Sequence, residues 1–378
     1  MNLKKVAIIQ RVMPHYRVAF FAKLSEVLNK QGIELAVYYG KENPGQVPKT
    51  VHVEAAWARQ IENKYWKIAG YELVFQQCPK LMGVFDLVII EHALRFPLNI
   101  LLIIQRRFSS TALAFWGHGR NFQIGKANVI SEAIKARLTR FVDWWFAYTE
   151  LSIEAIASQG FPLDHVTVVN NAIDTSGFLK ALHAADIEGT EELRRSMNLY
   201  SKHVGIFCGG MYSDKKLSFL IETIKIIRAQ VQDFECILIG DGPDAHLVRD
   251  FAAKEPWVRY VGPIYGEDRA KYFRLSHVIL MPGAVGLVAV DSFVAQIPLA
   301  TTRNNSHGPE LAYLINDYNG IITSNDVHAY AGALVEYFRD DEYQKILKLG
   351  CYKSAQEITL EKMVQRYSEG IRACLAER

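Results

Sequence analysis

The sequence predicts an α/β protein built from two doubly wound sheets. Short apolar runs of strand length alternate with helical patterns along most of the chain. The alternation restarts near His203, after a stretch without strand signals. The 378 residues also exceed one domain of roughly 100–200. With 50% hydrophobic and 22% charged residues, the chain can bury a core in each half.

The first strand is VAIIQ (6–10), followed by a helix over 16–32 with Phe20, Phe21, Leu24, Val27 and Leu28 at helical spacing. Gly32 stands where a helix stops. IELAVYYG (33–40) is the next strand, and the Pro/Gly-rich stretch 41–49 a loop. FDLVII (85–90) reads as a buried strand, 97–107 as a helix, and TALAFWGHG (111–119) as a strand running into a glycine turn. An amphipathic helix is expected over 126–141, then strands at 144–149 and 166–174, and a linker with one helix over 175–198.

The second half opens with the strand HVGIFCGG (203–210) and a strong helix over 217–231. Strands follow at 234–239, 258–264, 277–283 and 298–302, separated by helices over 246–255, 267–276 and 285–296. The remainder reads as mostly helical. In sheets of this kind ligands bind beyond the carboxyl ends of the strands, so the turns there carry the candidate chemistry.

Five cysteines without a CxxC pair argue against a disulfide framework or a zinc ribbon and suit a reducing cytoplasm. The apolar stretch Val6–Ile9 is too short for a signal peptide. No run approaches the roughly 20 residues that span a bilayer. Residues 1–150 hold 20 Lys and Arg against 11 Asp and Glu, whereas 151–378 hold 23 against 29. The basic half suits an acidic partner, an anionic lipid leaflet or a phosphorylated carrier, or is simply an unevenly charged surface. No reading motif accompanies it, so nucleic acid is not an expected partner.

Three segments could hold a phosphate. GGMYSDKK (209–216) brings two glycines, a helix start and two lysines together after a strand, although it lacks the Walker pattern and also suits a plain glycine turn. IGDGPD (239–244) reads as a tight turn one β/α unit later. MPGAVGLVAVDSF (281–293) offers the amides of Val285, Gly286 and Leu287 at a helix start. Asp291 lies further along that apolar helix and needs hydrogen bonds if buried; ribose hydroxyls are one source, a solvent-facing position the alternative.

These segments resemble retaining glycosyltransferases of family 4. VGIFCGGMYSDKKLSFLIETI is similar to that family's "GR…EKG…LIEA" segment, and GDGP, VGPI, MPGAVGLVAVDSF and HGPELAYLINDYNGI follow in its order. VTVVNNAID (166–174) and FWGHGR (115–120) resemble segments of its first half. The resemblance implies the GT-B fold, α/β with two Rossmann-like domains facing a central cleft. It places the acceptor domain at 1–185, the nucleotide-sugar domain at 186–360, and a C-terminal helix over 361–378 that packs back on the first. It further implies retaining transfer from a nucleoside-diphosphate sugar, expected to be a UDP-sugar, to a glycan acceptor. A lipid-linked acceptor of polysaccharide or lipopolysaccharide assembly, on the inner face of a membrane, is the expected setting. No cofactor or metal is implied, and the sequence holds no Asp-x-Asp at a strand end.

By position, Lys215 matches the family lysine that neutralises the donor diphosphate, and His118 a histidine that reaches the donor sugar, although a histidine after glycine is also a common turn residue. Gly209, Gly210, Lys216, Gly240, Gly242, Val261, Gly283, Val285, Gly286, Leu287, Asp291 and Glu310 are the remaining donor-side candidates. His15, Tyr16, Arg17 and Arg120 are the acceptor-side candidates; the first three could equally cap a helix. Two departures stand out. Gly210 replaces the family arginine, with Lys216 a possible substitute. Gly283 replaces the first acidic residue of the E-x7-E pair, with His307 or Glu310 as candidate replacements. From 95 to 140, Arg95, Arg106, Arg107, Arg120, Lys126, Lys135, Arg137 and Arg140 face the single acid Glu132. These cations are expected on a membrane, while the interleaved Ile130, Ile134, Leu138, Phe141, Trp144 and Trp145 also suit a helix stripe packed on the sheet. A nucleotide-sugar epimerase or hydrolase, or an inactive nucleotide-binding regulatory subunit, is the competing function.

Overall fold

A computed structural model of the chain describes residues 3–46, 50–68, 70–119, 129–185, 187–304 and 306–377, with the backbone alone at 129–132, 135, 187 and 188. Two compact units result. Among the described residues the first comprises those within 3–119, 129–174 and 360–377, and the second those within 175–359.

The first unit holds the strands β1 (Lys4–Val12), β2 (Ile33–Gly40), β3 (Ala58–Gln60), β4 (Asn63–Ile68), β5 (Tyr71–Gln76), β6 (Leu87–Glu91), β7 (Ala112–Gly117), β8 (Trp144–Ala147) and β9 (Val166–Val168). Seven form a parallel sheet in the order β3-β2-β1-β6-β7-β8-β9. β4 and β5 form a separate antiparallel hairpin. Parallel strands covered on both faces must be apolar throughout, so Leu87–Ile90 and Ala112–Gly117 are continuously buried. The helix Leu360–Ala376 completes this core: Tyr367 stacks on Phe146 and meets Phe20 and Trp116 edge-on.

The second unit holds β10 (His203–Cys208), β11 (Phe234–Ile239), β12 (Val258–Gly262), β13 (Val278–Leu280), β14 (Leu299–Thr302) and β15 (Gly320–Thr323). Its parallel sheet runs β12-β11-β10-β13-β14-β15. The strand order reverses between β10 and β13, which makes the loops after those two strands the switch point.

The unit boundary falls at Asp174/Thr175, earlier than the expected 185/186. The helix Ser176–Ala184 explains the difference, because Phe178 packs edge-on against Phe273 within the second core. The segment 175–198 forms two helices, Ser176–Ala184 and Ile187–Ser196, where one was expected, and β15 lies in a stretch expected to be helical.

Candidate functional site

At the carboxyl ends of β10 and β11 two glycine turns lock together. Met211 N–H donates to Asp241 O at 2.8 Å, and Asp244 N–H to Met211 O at 3.0 Å. Gly240 and Gly242 sit at φ 144° and 153°. A Cβ on Gly240 would stand 1.9 Å from Gly209 O, and one on Gly242 2.3 Å from Met211 O. Both glycines therefore have a packing reason that involves no ligand. Gly210 has one too, since the Tyr212 ring lies 2.8 Å from the place its Cβ would take. An arginine there would displace Tyr212. Val261 is half-buried in β12.

The switch point is tied across its two loops. Ser213–Lys215 makes one 3-10 turn, and Lys216 adopts the left-handed conformation at φ 54° before the helix Leu217–Gln230. Ala284 N–H donates to Asp214 O at 2.8 Å. Lys215 is buried, and its Nζ donates to Ala284 O. Burial pushes its ammonium down to about 8, against the opposing pull of Glu310 and Asp214. This close approach explains Gly283, because a Cβ there would lie 2.1 Å from Asp214 O. The acidic side chain expected at 283 has no space in this loop. Nothing lies within 4 Å of a Cβ on Gly286, so this glycine borders open space.

The candidate replacements are already engaged or buried. His307 is buried, accepts from Val285 N–H at Nδ1 (3.2 Å), and donates from Nε2 to Thr302 O (2.6 Å). Both ring nitrogens brace the loop, and burial lowers the ring's proton affinity. Glu310 is buried in the short helical turn Pro309–Tyr313. Lys216 Nζ donates to Asn325 Oδ1 at 2.6 Å at the surface. Leu287 is half-buried before the helix Val288–Ala295, and Val285 is buried.

Asp291 is buried on that helix, and Arg269 supplies the hydrogen bonds that burial demands, at 2.7 and 3.4 Å. Burial still holds the Asp291 carboxyl above the usual carboxylate range, opposed by Arg269. The expected solvent-facing alternative is excluded, and a ribose is not required to satisfy this carboxylate. Arg269 itself stacks over Phe178 at 5.1 Å.

In the first unit, the order reversal lies between β1 and β6. Pro14 leads from β1 into the helix His15–Lys30, whose first turn buries Arg17 and leaves His15 and Tyr16 exposed. The Arg17 guanidinium lies 5.0 Å from the Trp116 ring and 5.8 Å from Tyr148. Its Nη1 is buried without a hydrogen-bond partner, and among the described residues Arg17 makes no ion pair. The half-buried Glu91, whose Oε1 accepts from Arg11 N–H at 2.7 Å, is near enough to feel its charge. His118 stacks on Tyr148 at 4.3 Å. Burial, reinforced by Arg17, pushes its imidazole down to about 4, so the ring is neutral near pH 7. Arg17 and His118, far apart in sequence, thus share one aromatic setting. Arg120 lies outside the described residues.

Residues 202–340 match the family described as "Glycosyl transferases group 1". No curated protein matches the chain. Among solved structures, HepE from Anabaena, in complex with UDP, is 13% identical, with 98% of this chain and 99% of that one covered and a TM-score of 0.69. Sucrose-phosphate synthase from Thermosynechococcus elongatus is 14% identical over 99% and 100%, TM-score 0.70. The apo form of the lipopolysaccharide outer core galactosyltransferase WaaB is 11% identical over 97% and 99%, TM-score 0.65. The fold is GT-B, and its second unit carries the group 1 domain. The chain is a glycosyltransferase.

The basic surface of this glycosyltransferase differs from the expected one. Arg106 donates from Nε and Nη2 to the two carboxylate oxygens of Asp143. Trp144 and Trp145 belong to β8 and are buried, so they offer nothing to a membrane. Ile134 and Phe141 are exposed, whereas Lys126 and the side chains of Ile130, Glu132 and Lys135 lie outside the described residues. Sequence reasoning missed Arg269, Tyr212, Tyr148 and Asn325. Arg269, Tyr148 and Asn325 act through partners distant in sequence, and Tyr212 acts within its own turn, against Gly210.

Proposed function

We propose that the glycosyltransferase takes its sugar from a nucleoside-diphosphate donor, with UDP as the nucleotide, and transfers it with retention and without a metal. The observation that carries this reading is the switch point of the second unit. A buried lysine, a glycine bordering open space and a helix start converge there. Departure of the diphosphate places growing charge on its oxygens. Lys215 Nζ would exchange the Ala284 carbonyl for a phosphate oxygen, and the amides at Gly286 and Leu287 would add partial positive charge. HepE, solved with UDP and with UDP-glucose, supports the choice of nucleotide.

The acceptor reading rests on Arg17. A guanidinium cannot shed its proton on burial, and aromatic faces alone compensate it weakly. A phosphate or pyrophosphate on the acceptor would accept from Nη1, as that of a lipid-linked glycan would in the assembly of a surface polysaccharide. Neutral His118 can donate or accept a hydrogen bond to a sugar hydroxyl.

The test is a screen of nucleotide-sugars by thermal shift, followed by incubation of the best donor with phosphate-linked glycans and assignment of the product's anomeric configuration. A retained configuration in EDTA supports the reading. Inversion, or a strict metal requirement, overturns that part. Nucleotide binding without transfer to any acceptor would favour the regulatory subunit.

A further inference from the structure

The hairpin β4–β5 and the helix that follows β6 carry a surface the donor site does not use. In the hairpin register Trp66 opposes Leu73 and Ile68 opposes Tyr71, which puts all four on one face. The other face carries Val74, which is fully buried and whose N–H donates to Arg95 O at 2.8 Å. The outward face is left open: Trp66, Ile68 and Tyr71 are 58%, 52% and 59% exposed. Beside β5 packs the helix Pro97–Arg106. It buries Asn99 and Leu102 and turns Ile100 and Ile104 outward, with Phe108 beyond its end 87% exposed. Outward apolar residues on two neighbouring elements are more than scattered surface hydrophobics.

Charge selects the occupant. The stretches 59–80 and 95–110 hold seven Lys and Arg, of which Arg106 is paired with Asp143, against two Glu. Lys64 is exposed on the same face as Trp66, Lys67 is exposed on the other face of the hairpin, and Arg107 is exposed beside Phe108. A protein partner's apolar groove needs no such excess, whereas an anionic bilayer attracts each cation and takes Trp and Tyr at its headgroup level. We propose that this hairpin and helix dock the glycosyltransferase on an anionic membrane surface, with Trp66, Tyr71 and Phe108 inserted and the lysines at the phosphates. The inference rests on the proposed lipid-linked acceptor for its purpose, but its observations are independent of it.

The test is co-sedimentation of the full chain with phosphatidylcholine vesicles, with and without phosphatidylglycerol, in the absence of donor and acceptor. Binding to the anionic vesicles is expected. It should weaken at least about tenfold in W66S/Y71S, in I104S/F108S and in K64E/K67E. Each pair should keep the wild-type thermal shift with UDP, which reports folding and the donor site separately. Absence of vesicle binding, or binding indifferent to both apolar pairs, overturns the proposal. So does a dimer in solution that the same substitutions dissolve. Loss of the UDP shift in the wild type would overturn the donor reading and leave membrane docking standing.

Discussion

Lys215 donates from Nζ to the carbonyl oxygen of Ala284, so one side chain joins the loop after β10 to the loop after β13. The backbone bond from Ala284 N–H to Asp214 O, at 2.8 Å, makes the joint reciprocal. The lysine expected to act on the donor is therefore also part of the loop's framework, not a free cation in a polar turn.

Lys215→Ala is accordingly expected to lower both turnover and stability. Loss of a charge-assisted hydrogen bond to the leaving diphosphate removes about 1.5–3 kcal/mol, a roughly 10- to 150-fold fall in kcat/KM. The orphaned Ala284 carbonyl adds about 1–3 kcal/mol of destabilisation, read from denaturant melts. Lys216→Ala, which removes only the surface contact with Asn325, should be milder on both measures.

Gly283 and Gly286 make a contrasting pair. Gly283→Ala drives a Cβ into Asp214 O and should destabilise the loop by roughly 1–3 kcal/mol while weakening UDP binding. Gly286→Ala meets no atom within 4 Å and should leave the melting temperature unchanged. If a diphosphate approaches that backbone, Gly286→Ala will still weaken UDP affinity, which calorimetric titration measures.

Asp291 and Arg269 should behave as a unit. Arg269→Met leaves a buried carboxylate uncompensated and is expected to destabilise by about 3–5 kcal/mol. The double variant Arg269→Met/Asp291→Asn should recover part of that loss in a double-mutant cycle. If Asp291 also holds the ribose, Asp291→Asn will weaken UDP binding beyond its effect on melting.

Acid should unfold the protein earlier than its carboxylates alone would dictate. His118 and His277 are each pushed from 6.5 down to about 4 in the folded state, chiefly by burial. Between those values the unfolded chain binds protons that the folded chain does not. Their contribution is complete above pH 6.5 and is lost as pH falls toward 4, up to about 3 kcal/mol for each ring. His118→Gln should flatten that loss of stability in chemical melts run at successive pH values.

The sequence made the two parallel sheets legible because strands buried on both faces are continuous apolar runs over most of their length, as at Leu87–Ile90 and Cys236–Ile239. It did not reveal the hairpin β4–β5, whose outward face mixes Trp66 and Ile68 with Lys64 and so lacks the polar alternation of a half-buried strand. Nor did it reveal β15, only four residues long. At the switch point the glycines and Lys215 were legible as a turn with a cation. The bond of Lys215 to Ala284 was not, since it joins residues 69 apart in sequence. The absent acid at 283 looked like a missing function and has a steric reason in Asp214. Arg269 gave no signal, because its partner Asp291 lies 22 residues away on another helix.

The most direct measurement is calorimetric titration of UDP into the protein in EDTA, repeated with Lys215→Ala. Saturable binding without metal, weakened at least about tenfold by the substitution, is the expected result. Absence of binding, binding only with added divalent metal, or equal affinity in the variant would contradict a diphosphate site at Lys215.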